Sequence, residues 1–379
     1  MMASRRLAQG LQTSRPMTSW TRTLLVWLLS WLLPISAALA APVKCLSDCT
    51  PRIGIVSAFG AEADILVAQT RGKRTWRVNG NRFTTGVLRG NPVVIVLSGV
   101  SMINATMVTQ LMLDHFRVER LIMSGIAGGI DPARHVGDVL IPERWTMPME
   151  VYWSHDGSTP APCGAVGDLA CLGLKLAARE DGQPWPDFRL PAPGGGEVAT
   201  GLFMRENFVM TTRSADQQPP GEWRFDYEAD PRMLAVARRI RPELLRCGPK
   251  NGPKDTSQCV STQPQLVVGG RGISGTAFLA NPHYRAYVFQ TLAAQVVDME
   301  TAALAHVAHA NQVPFIAMRS LSDLAGAHEF NQDVGALFSS GLAETNEAAV
   351  TLAFLEAWGR EAHPPKPAGK TVPSRTVPR

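Results

Sequence analysis

Short apolar runs recur along this chain at Ile53–Val56, Val93–Leu97, Arg120–Ser124, Gln295–Met299 and Phe315–Arg319. They are rich in β-branched residues and bounded by Gly, Asn or Pro, the pattern of strands covered on both faces. Between them, Met107–Phe116 and Ala302–Ala310 carry apolar residues at helical spacing. Strand alternating with helix predicts an α/β fold, with a central, mostly parallel sheet flanked by helices. The alternation covers 51–145 and resumes over 265–360. The intervening stretch, about 150–262, is rich in Pro, Gly and Trp with sparse periodicity and reads as a long, loop-rich insertion. The expected layout is one α/β domain over 41–362 carrying that insertion, then a Pro-rich, basic, disordered tail over 363–379.

The N-terminus adds a compartment to this picture. Arg5, Arg6, Arg15 and Arg22 precede the apolar run Leu24–Leu33, and Ala38-Leu39-Ala40 follows. A basic start, a short apolar core and a small-x-small site describe a secretory signal peptide over 1–40, cleaved after Ala40. The run is about half of the ~20 apolar residues that a membrane-spanning helix needs. The expectation is a periplasmic or secreted protein with no stable membrane anchor after cleavage. Charge follows the same division. The leader and the tail together hold eight basic groups and no acid, so of the 37 basic residues 29 remain in the body against 32 acids. The basic character belongs to the two ends, and a nucleic-acid-binding face on the folded body is not indicated.

Six cysteines fall in close pairs, Cys45 with Cys49, Cys163 with Cys171 and Cys247 with Cys259. An even count in an exported chain favours disulfides, with local pairing preferred among the connectivities that six cysteines allow. Tight C-x-x-C spacing and neighbouring histidines are both absent, so no metal is expected. His306 and His309, three apart on a predicted helix, read as capping or solvent-facing groups.

Candidate chemistry gathers at the carboxyl ends of predicted strands, where open α/β sheets bind their ligands. Glu62 follows the first strand, Glu300 follows Gln295–Met299, and Asp323 follows Phe315–Arg319. One acid in such a place serves equally well as a helix cap. Three converging on one sheet edge point to a site.

These residues sit in motifs that occur in a familiar order: Arg52-Ile-Gly-Ile-Val-Ser-Ala-Phe-Gly-Ala-Glu62, Ser124-Gly-Ile-Ala-Gly-Gly129, Val136-Gly-Asp-Val-Leu-Ile-Pro142, Val297-Asp-Met-Glu-Thr-Ala302 and Arg319-Ser-Leu-Ser-Asp323. Together they resemble the methylthioadenosine/S-adenosylhomocysteine nucleosidases of the nucleoside phosphorylase superfamily, over about 51–145 and 265–358. The resemblance implies hydrolysis of a purine–ribose bond in a small-molecule nucleoside, with no cofactor and in a homodimer. It implies Glu62 as the base that activates water, Asp323 oriented by Ser322 as the acid that protonates the purine, and Glu300 as the holder of the ribose hydroxyls. Met299 would pack on the sugar, Arg319 would steady the acids, and Ser98 and Gly99 would floor the ribose. Gly275-Thr-Ala-Phe-Leu279 matches the purine clamp, with Phe278 stacking and the Leu279 backbone reading the base edge. Taken alone, Phe278 is better explained by core packing. Two positions depart from the family: Ser101 replaces a glycine, and Asp298 stands where many members have Glu.

Other readings remain beside this one. An exported nucleoside-binding or storage relative would be expected to lose one or more of the acids. A purine nucleoside phosphorylase would carry an arginine-bearing phosphate turn in place of Gly60-Ala61-Glu62. The Gly-x-Ser-x-Gly elbow of a serine hydrolase is missing, and the Ser124-Gly-Ile-Ala-Gly-Gly129 turn lacks the full Gly-x-Gly-x-x-Gly of a dinucleotide site.

Overall fold

All five apolar runs are strands in the computed structural model, which describes residues 45–153, 202–217, 220–249, 259–327 and 340–362 together with short stretches between 168 and 199. The proposed leader over 1–40, Cys163, Cys171 and the tail over 363–379 lie outside the described residues. In chain order the main elements are β1 (Arg52–Ser57), α1 (Gly60–Gln69), β2 (Arg71–Val78), β3 (Asn81–Leu88), β4 (Asn91–Leu97), α2 (Met102–His115), β5 (Val118–Gly129), β6 (Val139–Ile141) and β7 (Arg144–Thr146). They continue with β8 (Asp226–Glu228), α3 (Pro231–Ala237), β9 (Leu266–Val268), β10 (Arg271–Ser274), α4 (Pro282–Leu292), β11 (Ala294–Asp298), α5 (Thr301–Ala310), β12 (Phe315–Asp323) and α6 (Leu342–Ala362).

The twelve strands form one sheet in the order β8-β7-β10-β11-β5-β1-β4-β3-β2, with β12 pairing β5 and β6, and β9 pairing β6. The expected parallel core is β4-β1-β5-β12, in which each neighbouring pair runs parallel. The sheet as a whole is mixed, because β2–β3–β4 is an antiparallel meander and β11 meets the end of β5 antiparallel. Both faces are covered: every residue of β1 and of β12 is buried. This double burial is why these strands read as continuous apolar runs.

The β2–β3 hairpin escapes that signature. Arg71, Lys73, Arg74 and Arg77 are exposed along an edge strand, and only Trp76 and Val78 turn toward the core. Charge on an edge is a common guard against unwanted strand pairing, and it erases the apolar pattern.

The insertion is held by short antiparallel pairs where it is described, Val151–Trp153 with Leu202–Met204 and Asn207–Val209 with Glu222–Arg224. Over Asp226–Ala237 it joins the main sheet and core. β8 pairs with β7, and Tyr227, Met233 and Val236 are buried in the main core. Disulfides join Cys45 to Cys49 and Cys247 to Cys259. Among the described residues no helix is long and apolar enough to cross a membrane.

Candidate active site

The parallel core brings the carboxyl ends of β1, β5 and β12 to one edge of the sheet, and the last glycines of β5 draw in β11. Glu62 stands in the first turn of α1. Its Oε2 accepts the N–H groups of Ala58 at 2.6 Å and Phe59 at 3.1 Å, and its Oε1 accepts that of Ile126, on β5, at 2.8 Å. Glu62 therefore serves in the capping box of α1 and also reaches across to β5. Burial pushes its proton affinity up, Arg319 and the three N–H donors pull it down, and the balance lies at about 7. A carboxyl group poised there exchanges its proton near neutrality.

Glu300 is differently used. Glu300 holds the N-cap position of α5, but the capping is done by Asp298, whose Oδ1 accepts the N–H groups of Glu300 and Thr301, each at 3.1 Å, with Ser274 Oγ accepting the N–H of Ala302. That frees Glu300 from capping. Its Oε1 accepts the Ser101 N–H at 2.9 Å and its Oε2 the Arg319 Nη2 at 3.2 Å. Burial raises its proton affinity against the pull of Arg319.

Arg319 joins these acids from below. It is wholly buried, with Nε donating to Asp298 Oδ2 at 2.7 Å and to Thr301 Oγ1 at 3.0 Å, and with Nη1 3.8 Å from Glu62 Oε1. Burial works against its charge, but Asp298, Glu300 and Glu62 outweigh that and raise its proton affinity. Room for this arrangement comes from Gly125. A Cβ there would stand 2.7 Å from Glu62 Cδ and closer still to Glu62 Oε1 and Arg319 Nη1.

Asp323 ends β12. Its Oδ2 accepts the Ser322 hydroxyl at 3.0 Å and its Oδ1 the Ala325 N–H at 2.8 Å. No cation pairs with it among the described residues, and burial raises its proton affinity over the opposing pull of those two donors. Gly128 again leaves the space, since a Cβ there would approach Asp323 Oδ1 to 3.0 Å.

Glu62, Glu300 and Asp323 all face one cavity of about 150 Å³. Met299, Phe278 and Leu279 share its wall. Phe278 is 63% exposed, which excludes core packing and leaves its ring open to a ligand. Arg319 lies behind the wall. So do Ser98 and Gly99, for the Ser98 hydroxyl turns back to the carbonyls of Gly99 and Ser57, and Val100 forms the lining there. Ser101 has φ +95° and ψ 149°, a combination almost confined to glycine.

The histidines on α5 neither cap nor face solvent. His306 Nδ1 lies 2.9 Å from the hydroxyl of Tyr227, and His309 Nε2 lies 2.8 Å from Glu222 Oε1. The reason is β8 and its neighbouring hairpin, which cover the back of α5. Among the described residues no cluster of acids, histidines and cysteines could hold a metal.

Sequence reading missed Glu347, which is buried behind Glu62 on α6 with Ser124 and Thr351 as partners. A signal was present: Glu347 and Thr351 fall on the apolar stripe made by Ala343, Val350, Phe354 and Trp358.

The family model described as "Phosphorylase superfamily" matches residues 52–356. The 5′-methylthioadenosine/S-adenosylhomocysteine nucleosidase of Bacillus cereus is 28% identical over 279 residues, covering 73% of this chain and 87% of the relative. The solved nucleosidase of Streptococcus pneumoniae, bound to a transition-state inhibitor, superposes with a TM-score of 0.52 at 22% identity, covering 81% of this chain and 99% of its own. The futalosine hydrolase of Helicobacter pylori gives 0.52 at 18% identity, covering 83% and 100%. The two structural likenesses speak for the fold.

Proposed function

Since the chain belongs to the phosphorylase superfamily, we propose that it is an N-ribosyl hydrolase that splits the purine–ribose bond of nucleosides of the methylthioadenosine/S-adenosylhomocysteine kind. The observation that carries this reading is the buried Glu62 carboxyl, fixed by three N–H donors in the turn where a phosphorylase would hold phosphate. At ~4 Å two like charges repel by about 1 kcal/mol in water and by more when desolvated, so this turn disfavours phosphate and suits a water nucleophile.

As the bond breaks, its electron pair leaves with the base and positive charge grows on the ribose. Asp323, with its raised proton affinity, delivers a proton to N7 of the departing purine. Glu62 takes a proton from the water that adds to the anomeric carbon. Glu300 and Met299 hold the ribose, and Phe278 stacks on the base. Aligned acid, base and charge stabilisation are the effects this chemistry draws on. Retention of all three acids speaks against a binding or storage protein, although a fold alone does not assign activity.

The same proposal includes export. The leader motif and the two disulfides of the described residues support a periplasmic or secreted protein. It also includes a homodimer, for Val100, Ile103 and Met107 are exposed beside the cavity, at 49%, 76% and 42%. The test is a panel of methylthioadenosine, S-adenosylhomocysteine, adenosine and inosine given to the purified mature protein. Release of adenine from the first two supports the reading, and no base release from any of the four refutes it. Intact mass and sedimentation of protein recovered from its native compartment check cleavage after Ala40, disulfides and dimer together.

A further inference from the structure

Behind the cavity lies a fourth acid that the proposed chemistry does not use. Glu347 is wholly buried. Its Oε1 is within hydrogen-bond distance of Ser124 Oγ, at 2.5 Å, and of Thr351 Oγ1, at 2.6 Å, while its Oε2 has no hydrogen-bond partner. The charged groups facing it from neighbouring elements are Glu62 on α1 and Arg319 on β12, with Glu344 one turn earlier on its own helix. Arg120 and Arg232 are engaged at the far end of α6, over Trp358.

The charge balance is lopsided. Among the described residues Arg319 is the one guanidinium set among Glu62, Asp298, Glu300 and Glu347, and it contacts the first three. Glu347 has no ion pair and no backbone donor among the described residues. An unpaired buried carboxylate is costly, and such a group keeps its proton instead. A neutral acid suits this arrangement, because Oε1 accepts the Ser124 and Thr351 hydroxyls as a carbonyl oxygen does, and the proton sits on Oε2, which no donor faces.

Its partner matters for the site. Ser124 immediately precedes Gly125 and Ile126 on β5, the segment that makes room for Glu62 and gives it an N–H. We propose that Glu347 is a positioning residue for Glu62: a neutral carboxylic acid that holds Ser124 and so keeps the Ile126 N–H aimed at the Glu62 carboxylate. The direction of its proton affinity agrees, since burial, helped by the Glu62 charge, outweighs the Ser124 and Thr351 hydroxyls and Arg319 and pushes it up to about 8. The kinetic consequence rests on the reading of Glu62 as the base.

The experiment compares wild type, Glu347→Gln and Glu347→Leu by the pH dependence of kcat/KM and by the infrared band of protonated carboxyl groups. At pH 7 the wild type is expected to show one protonated-carboxyl band more than either variant, beside any from Glu62 and Asp323 that all three share. Gln still accepts from Ser124, so it should keep the acid limb of the profile where the wild type has it. Leu cannot, so the Ile126 donor loosens, and the limb should rise by about half a unit or more, in the direction expected when a donor to the charged form is lost. Ser124→Ala cuts the same contact and replaces the Leu variant if that one fails to fold. A wild type without the band that Gln removes, or a limb unmoved by Leu and by Ser124→Ala, overturns the proposal. Absence of nucleosidase turnover in the wild type would instead sink the functional reading, and the infrared comparison would still decide whether Glu347 carries its proton.

Discussion

Replacing Glu62 with Gln separates what this carboxyl does for stability from what it does for catalysis. In the folded chain Glu62 holds its proton up to about pH 7, against an ordinary value of 4.5. A carboxyl group so raised leaves the folded state with more bound protons than the unfolded state between those two values. Stability therefore falls as pH rises from about 4.5 to about 7 and levels off above. At about 1.4 kcal/mol per unit, the gap costs about 3 kcal/mol once both states are ionised. Gln carries no such cost, but it brings another. Both Glu62 oxygens accept N–H groups, so a side-chain NH₂ must confront either Ile126 or the Ala58 and Phe59 pair. That mismatch costs about 1–3 kcal/mol at every pH. The quantity to read is thus the change with pH, not the absolute difference. Urea unfolding of both proteins at pH 4.5, 6, 7 and 8 should show the variant gaining about 3 kcal/mol on the wild type across the series. Parallel stability curves would refute a raised Glu62 and, with it, the poised base.

Other substitutions test neighbouring parts of the account. Asp323→Asn should lower kcat by about 10²–10⁴-fold while substrate analogues still bind, because the purine then leaves without its proton; turnover within threefold of wild type would remove Asp323 from that role. Ser101→Gly should stabilise the fold by about 1–3 kcal/mol in thermal or urea unfolding, since glycine adopts φ +95° without strain. Alanine at Gly125 should abolish turnover and destabilise by about 1–3 kcal/mol, because neither Glu62 nor Arg319 has slack to yield to a Cβ.

Much of this architecture was legible in the sequence for a physical reason. Strands buried on both faces must be apolar throughout, and the runs at β1, β4, β5, β11 and β12 obey that constraint. The three acids were legible for the same reason, because each interrupts an apolar neighbourhood at a strand end. What escaped reading depends on contacts distant in sequence. Asp298 takes over the capping of α5 and anchors Arg319, which a side chain two residues from Glu300 does not announce. Gly125 and Gly128 look like turn residues, yet they lie inside β5 and matter for the side chains they lack. β8 and the hairpin before it hide in a stretch of irregular composition and become evident only through Tyr227 and its histidine partners.

The central claim is that water, not phosphate, is the nucleophile. Purified mature protein is given methylthioadenosine in phosphate-free buffer and again with phosphate in large excess, and the sugar product is identified by mass. The account predicts adenine and free methylthioribose at the same rate in both. A ribose-1-phosphate derivative whose formation tracks phosphate concentration would contradict it.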